Sequence, residues 1–205
     1  MYKIPEIPFD LFSEQMDAWV YEPTSGTLAA RALAKSDFYR NPSGDYEDDS
    51  KASLNALWLT GVPADPDFQL SSKVNVDFVS DYDAGVLSIW SDTKTWAKLC
   101  FEYSPDKEFM VVSVVTQGAS DDVNSFTVPE KFVWLRVSRT GHLYAFHAST
   151  DGKVWKLIRA FTLGKDVSGH RIGFLVQAPI GDGCYVEFTD LKYIGFPLSG
   201  LRNGS

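Results

Sequence analysis

The sequence predicts an all-β fold, a sandwich or a barrel, on three observations. Strand-like runs recur about every 10 to 15 residues with turn residues between them, the spacing of an all-β domain. Within these runs apolar and polar residues alternate, so successive side chains point to opposite faces. No strand-helix-strand alternation of the kind that builds a parallel sheet is present.

Taken in order, residues 1–25 are expected to include an extended lead-in strand. "LAARALAKSDFY" (28–39) has a helix-compatible composition but precedes a polar loop, "RNPSGDYEDDSK", and is read as strands. Strand runs follow in "SLNALWLTG", "FQLSSKVNVDFV", "AGVLSIWS", "TWAKLCFEYS", "EFMVVSVVT", "FVWLRVSRTG", "HLYAFHAS", "VWKLIRAFTL", "HRIGFLVQAP" and "CYVEFTDLKYIGF". Asp106-Lys107, Thr140-Gly141, Asp151-Gly152 and Gly181-Asp182-Gly183 mark turns between them. "HASTDGKVWKLI" (147–158) reads as a hairpin, because Asp-Gly supplies the positive φ of a tight turn. The tail "GLRNGS" reads as a frayed end. With no internal repeat, low-complexity tract or linker, residues 1–205 are expected to form one domain.

Alternation also sorts the strands into faces. Ala97, Leu99, Phe101 and Tyr103 form an apolar row, and Trp96, Lys98, Cys100 and Glu102 the opposite one. Val133, Leu135 and Val137 oppose Trp134, Arg136 and Ser138, and Leu87 and Ile89 oppose Val86, Ser88 and Trp90. Each strand thus has a core row and a mixed row that keeps tryptophan beside charge. Such an open face suits a binding groove.

A formal net charge of -8 disfavours nucleic acid or an anionic membrane as the partner, since both require a basic face. No segment approaches the ~20 apolar residues of a membrane helix. The N-terminus lacks the basic start and apolar run of a secretory signal, so a cytoplasmic protein with free thiols at Cys100 and Cys184 is expected. His142, His147 and His170 have no ligand-spaced partner, and no metal or other cofactor is expected. The acidic loop "DYEDDS" (45–50) has oxygen ligands of the type calcium prefers, but it reads as a solvated loop. Lys98 beside Cys100 could lower that thiol's pKa, although a buried inert cysteine is the expectation. No nucleophile elbow, phosphate-cradling loop or dinucleotide fingerprint appears. Carboxylate pairs are the one catalytic option, because glycoside hydrolysis needs two carboxyls across a cleft. Glu102 lies on the mixed row, and Asp37, Asp83 and Asp121 at strand ends or loops are possible companions.

The segment from Ser36 to Tyr193 resembles the concanavalin A-like family named for "regulation of enolase", otherwise a domain of unknown function. The likeness rests on "SDFYR" (36–40), on "SDYDAGVLSIWSDTKTWAKLCFEYS" with its Trp-x-Lys-x-x-x-Glu spacing, and on "VVSVVTQGASDD". It continues through "VWLRVSRTGHLYAFHASTDGKVWKLIRAF", with a Ser-x-Asp-Gly-x-x-Trp hairpin, and "IGFLVQAP". The chain departs from the family at Asp83-Ala84-Gly85, which lacks a glutamine, and at Ser120-Asp121-Asp122, where the family has tryptophan last. The resemblance implies a jelly-roll sandwich of two curved antiparallel sheets and no established reaction. Fungal members are associated with glycolytic enolase, and structural relatives bind or cleave glycans.

Two functions are expected to compete. The first is a non-catalytic binding or regulatory module for a carbohydrate, another small polar ligand or a protein such as a metabolic enzyme. Its ligand-binding candidates are Trp90, Trp96, Lys98, Glu102, Arg136, Arg40 and Gln177. Aromatic rings would stack on sugar faces while the charged groups bond hydroxyls. The second is a small glycoside hydrolase using Glu102 with Asp83 or Asp37. Trp155 is assigned first to the fold, as an anchor of its sheet.

Overall fold

A computed structural model describes residues 1–45 and 47–205. Its strands are β1 (Trp19–Glu22), β2 (Thr27–Arg31), β3 (Phe38–Tyr39), β4 (Ser53–Leu54) and β5 (Leu57–Gly61). They continue as β6 (Phe68–Asp77), β7 (Ala84–Asp92), β8 (Thr95–Tyr103), β9 (Phe109–Gln117) and β10 (Ala119–Val128). The last five are β11 (Phe132–Thr140), β12 (Leu143–Ser149), β13 (Lys156–Phe161), β14 (Arg171–Gln177) and β15 (Tyr185–Ile194). Helix among the described residues is confined to two single 3-10 turns, Met16–Ala18 and Asp49–Lys51.

Two antiparallel sheets form the sandwich. One has seven strands in the order β1-β2-β15-β6-β11-β12-β13, and the other six in the order β10-β9-β8-β7-β14-β5. The predicted apolar rows meet between them: Leu87, Ile89, Ala97, Leu99 and Phe101 from the six-stranded sheet, Val133, Leu135 and Val137 from the seven-stranded one. All eight are fully buried. Gly85 shows how closely the sheets approach. A Cβ there would lie 2.5 Å from Val74 Cγ1 and 2.7 Å from Val186 Cγ1, both on the facing sheet.

Residues 1–25 do include a strand, β1, while residues 1–15 make only the isolated bridges Tyr2–Leu11 and Phe12–Thr60 and bury Ile4, Ile7 and Leu11. Several other local expectations change. β10 was not expected as a strand. It is the edge of its sheet, pairing only with β9, and its burial pattern is largely exposed. Edge strands carry charge that discourages pairing with other chains, so β10 lacks the apolar alternation that marks its neighbours. The 147–158 hairpin is looser than a two-residue turn, because β12 ends at Ser149 and β13 starts at Lys156. Asp151 Oδ1 organises the loop by accepting from Lys153 N and Val154 N, each at 2.8 Å, and Gly152 takes φ +70°. The "GLRNGS" tail is folded back: Gly204 is buried and its carbonyl accepts from Arg136 at 2.7 Å. Arg136 also changes place. The mixed rows of Lys98 and Arg136 belong to different sheets and face opposite sides of the sandwich.

Candidate functional site

The outer face of the six-stranded sheet does not lie open. After β2 the chain crosses it, bridging Ser36 to Ala178 and pairing β3 with β4. Phe38 is driven down onto this face, its ring centroid 5.4 Å from Trp90 and 6.0 Å from Trp96. A second apolar cluster forms beneath it, with Ala84, Val86, Trp96, Cys100, Val112 and Leu175. Part of the predicted mixed row is therefore a second core. The remainder is a cleft of about 550 Å³ between the covering segment, the sheet face and the loops after β8 and β14.

Lys98 anchors this cleft. Its side chain is 3% exposed, and Nζ donates to Asp37 Oδ1 at 3.0 Å and to Gln177 Oε1 at 2.9 Å. Gln177 Nε2 in turn donates to the Tyr82 carbonyl at 3.4 Å. Burial opposes the lysine's charge, but the carboxylate of Asp37 and the other acidic groups around it outweigh that and its pKa is raised. Tyr82 itself holds φ +68°, a left-handed conformation that costs a residue with a side chain about 1–2 kcal/mol.

Glu102 stands four residues along the same row, about 13 Å from Lys98 along the strand. It accepts no hydrogen bond from a described side chain or backbone group. Burial pushes its carboxyl up to about 8; Lys98 pulls it down, and Asp122 and Asp37 push it further up. It is thus largely protonated at neutral pH and able to donate a hydrogen bond. Asp122, on β10, also lines the cleft and is raised, first by burial. Tyr39, Tyr82, Met110 and Pro179 contribute apolar and aromatic wall.

Of the residues expected at a site, Asp37, Lys98, Glu102 and Gln177 share this cleft. Trp96 is 1% exposed beneath Phe38, and the space beside it and Trp90 is about 10 Å³, no more than one water's room. Neither tryptophan lines the cleft. Arg40 is 1% exposed and ties the covering segment to the β9–β10 turn, its Nε donating to Gly118 O at 2.7 Å and its Nη2 to Asp49. Asp83 is buried outside the cleft, where Oδ2 accepts from Val79 N at 2.9 Å and Ser80 N at 2.8 Å and closes that turn. Asp121 points away from Glu102 and pairs with Arg159 at 2.7 Å. Arg136 lies on the opposite side of the sandwich.

Sequence reading missed Tyr39, Tyr82 and Asp122. Tyr39 and Tyr82 sat inside the quoted "SDFYR" and "SDYDAG" segments, which was the available signal. Asp122 was missed together with its strand; the polar series Ser120, Asp122, Asn124 at period two was the sign of a face.

Cys100 and Cys184 are both buried and free, in different apolar clusters. Burial raises the Cys100 thiol well above its ordinary value, outweighing Lys98, so it is no activated nucleophile. Among the described residues no group of three His, Cys, Asp or Glu side chains is placed to hold a metal. Tyr46, within the acidic loop, lies outside the described residues. No helix among them is long and apolar enough to cross a membrane.

The profile of the family described as "Protein of unknown function (DUF1349)" matches residues 15–194. "Regulation of enolase protein 1" of Saccharomyces cerevisiae is 28% identical over 179 residues, covering 84% of this chain and 86% of the yeast protein. A solved structure of a functionally unknown protein from the same yeast superposes with a TM-score of 0.79 at 22% identity, covering 97% of this chain and 100% of the other. The GH43 protein BlXynB of Bacillus licheniformis gives 0.69 at 13% identity over 91% of this chain but 37% of its own length. The carbohydrate binding module CBM66 of Bacillus subtilis gives 0.52 at 13% identity, over 94% and 99%. At these identities the structural likenesses establish the fold, a concanavalin A-like β-sandwich.

Proposed function

The chain belongs to the DUF1349 family, and we propose that it is a non-catalytic binding module whose cleft takes a hydroxyl-rich ligand of the carbohydrate class. The observation that carries this is the cleft's polar set: a buried Lys98 held by Asp37 and Gln177, with a Glu102 carboxyl that has no hydrogen-bond partner among the described residues. Protonated Glu102 donates to a hydroxyl oxygen, Gln177 meets hydroxyls in either sense, Asp122 accepts from them, and Tyr39 and Tyr82 supply apolar ring faces. The CBM66 likeness agrees with a module of this kind. The yeast relative's name agrees with a regulatory role, in which ligand occupancy would modulate a protein partner such as a metabolic enzyme. Two buried, unpaired thiols fit a reducing cytoplasm.

A second reading, glycoside hydrolysis, is favoured by one observation: a carboxyl raised to about 8 beside two further carboxyls is what a general acid requires. The reaction also needs an ionised carboxylate free to act as nucleophile or base. Asp37 is committed to Lys98, and Asp122 stands on the edge strand β10, where burial raises its pKa. Binding without turnover is therefore the better account. Calorimetric titration with a panel of neutral mono- and disaccharides, beside a reducing-sugar release assay, tests it. Glu102→Gln keeps shape but changes the donor, and is expected to weaken the best binder about tenfold, roughly the 1.4 kcal/mol of one well-made neutral hydrogen bond. Turnover that collapses in Glu102→Gln while binding persists would establish the hydrolase instead.

A further inference from the structure

The far side of the sandwich holds a buried cation with no anion. Arg136, on β11, is 6% exposed. Its Nη1 donates to Gln69 Oε1 at 3.3 Å and its Nη2 to Gly204 O at 2.7 Å. Both acceptors are neutral, and the buried Nε has no partner among the described residues. None of the ion pairs among those residues includes Arg136. The Trp155 ring lies 4.2 Å from its guanidinium. Burial lowers Arg136 to about 10, so it remains charged at neutral pH. A desolvated charge is ordinarily matched by an opposite one, because its hydration is otherwise lost without return.

In front of this cation is a cavity of about 260 Å³, lined by Arg136, Lys192, Gln69, Ser71, Trp134 and Trp155. Asp190 also lines it, with Oδ2 accepting from Trp134 Nε1 at 3.1 Å, so the local charge is positive. Gly152, which also lines the cavity, packs closely on the Trp134 ring, where a Cβ would stand 3.0 Å away. Two tryptophans, an arginine fork and short polar side chains share one small space. The volume falls below the roughly 300 Å³ at which sites for drug-sized ligands begin, which suits one ring and not a chain.

We propose that this cavity binds a sugar acid, a single pyranose ring bearing a carboxylate, with the carboxylate on Arg136 and the ring against Trp134 and Trp155. The planar guanidinium matches a carboxylate, and its unused Nε–H supplies a donor the protein leaves unmet. Gln69, Ser71 and Asp190 meet the hydroxyls. The cavity shares no lining residue with the Lys98 cleft, so the two sites stand or fall separately.

The test is titration of the full chain with sodium glucuronate, followed through the tryptophan indole N–H signals by NMR. Glucose and sodium acetate serve as the neutral ring and the bare carboxylate. Glucuronate is expected to shift the Trp134 and Trp155 signals and leave Trp58 and Trp90 in place, with glucose and acetate each at least tenfold weaker. Arg136→Gln should abolish the response, and Glu102→Gln should leave it unchanged. If Arg136→Gln does not fold, Arg136→Lys is expected to bind at least tenfold more weakly, because a point charge replaces the fork. Absence of an indole shift with glucuronate overturns the proposal. So does an equal response to acetate, or undiminished affinity in a folded Arg136 variant.

Discussion

Glu102 is half-buried on a strand, without a hydrogen-bond partner among the described residues, and its pKa of about 8 is a statement about stability. The unfolded chain releases this proton near pH 4.3, the folded one near 8. Between these values the folded state binds more protons, so stability falls as pH rises, by at most about 1.4 kcal/mol per pH unit for one group. Asp122, also raised, adds a slope of the same sign. The lowered carboxyls, Asp48, Asp49, Asp151 and Asp166, act in the opposite sense and only in the acid range. His147 and His170, both lowered by burial, give the opposite slope below about pH 6.5, so above that range the urea midpoint of the wild type is expected to drop from pH 7 to pH 8, and to drop less in Glu102→Gln. Equal drops in both proteins would show that Glu102 titrates as an ordinary carboxylate. Sequence placed Glu102 and Lys98 on one row, because alternation is a property of a single strand. It did not show that Lys98 would be closed over by Asp37 and Gln177, 61 and 79 residues away along the chain.

Strands were legible where one face is apolar, as in β8, with Ala97, Leu99 and Phe101 against Trp96, Lys98 and Glu102. β10 escaped because neither of its faces is apolar for most of its length, and its existence depends on pairing with β9. The covering hairpin of β3 and β4 escaped for a related reason. Two-residue strands carry no periodicity, and they are held by Phe38 packing on Trp90 of β7 and Trp96 of β8. Gly85 shows an element-scale constraint that can be tested. It opens the way for β7 to approach Val74 on β6 and Val186 on β15. Gly85→Ala forces these valines apart and should destabilise the protein by about 1–3 kcal/mol, the usual cost of overpacking. Chemical denaturation reads this directly, and an unchanged midpoint would mean the sheets can separate at no cost.

At the scale of the molecule, the two sheets share one apolar cluster that runs from Ile4 in the N-terminal segment to Leu191 in β15. No subset of strands buries its own inner face without the facing sheet, so residues 1–205 are expected to unfold as a unit. Fluorescence and circular dichroism should report one coincident thermal transition; two separated transitions would divide the chain into two domains. The all-β class, the inner rows and the membership of the family were all readable from sequence, because alternation, turn residues and ordered motifs are recorded locally along the chain. The arrangement of the outer faces was not. Trp96 and Lys98 are near neighbours on one row, yet Phe38 seals the first into a second core while the second reaches a cleft. Arg136 has the same mixed surroundings in sequence and lies on the opposite side of the sandwich. Alternation states which residues share a face of one strand. Which faces come together, and which are covered, depends on strand order and on where the β3–β4 pair settles, and both are set by contacts between distant parts of the chain.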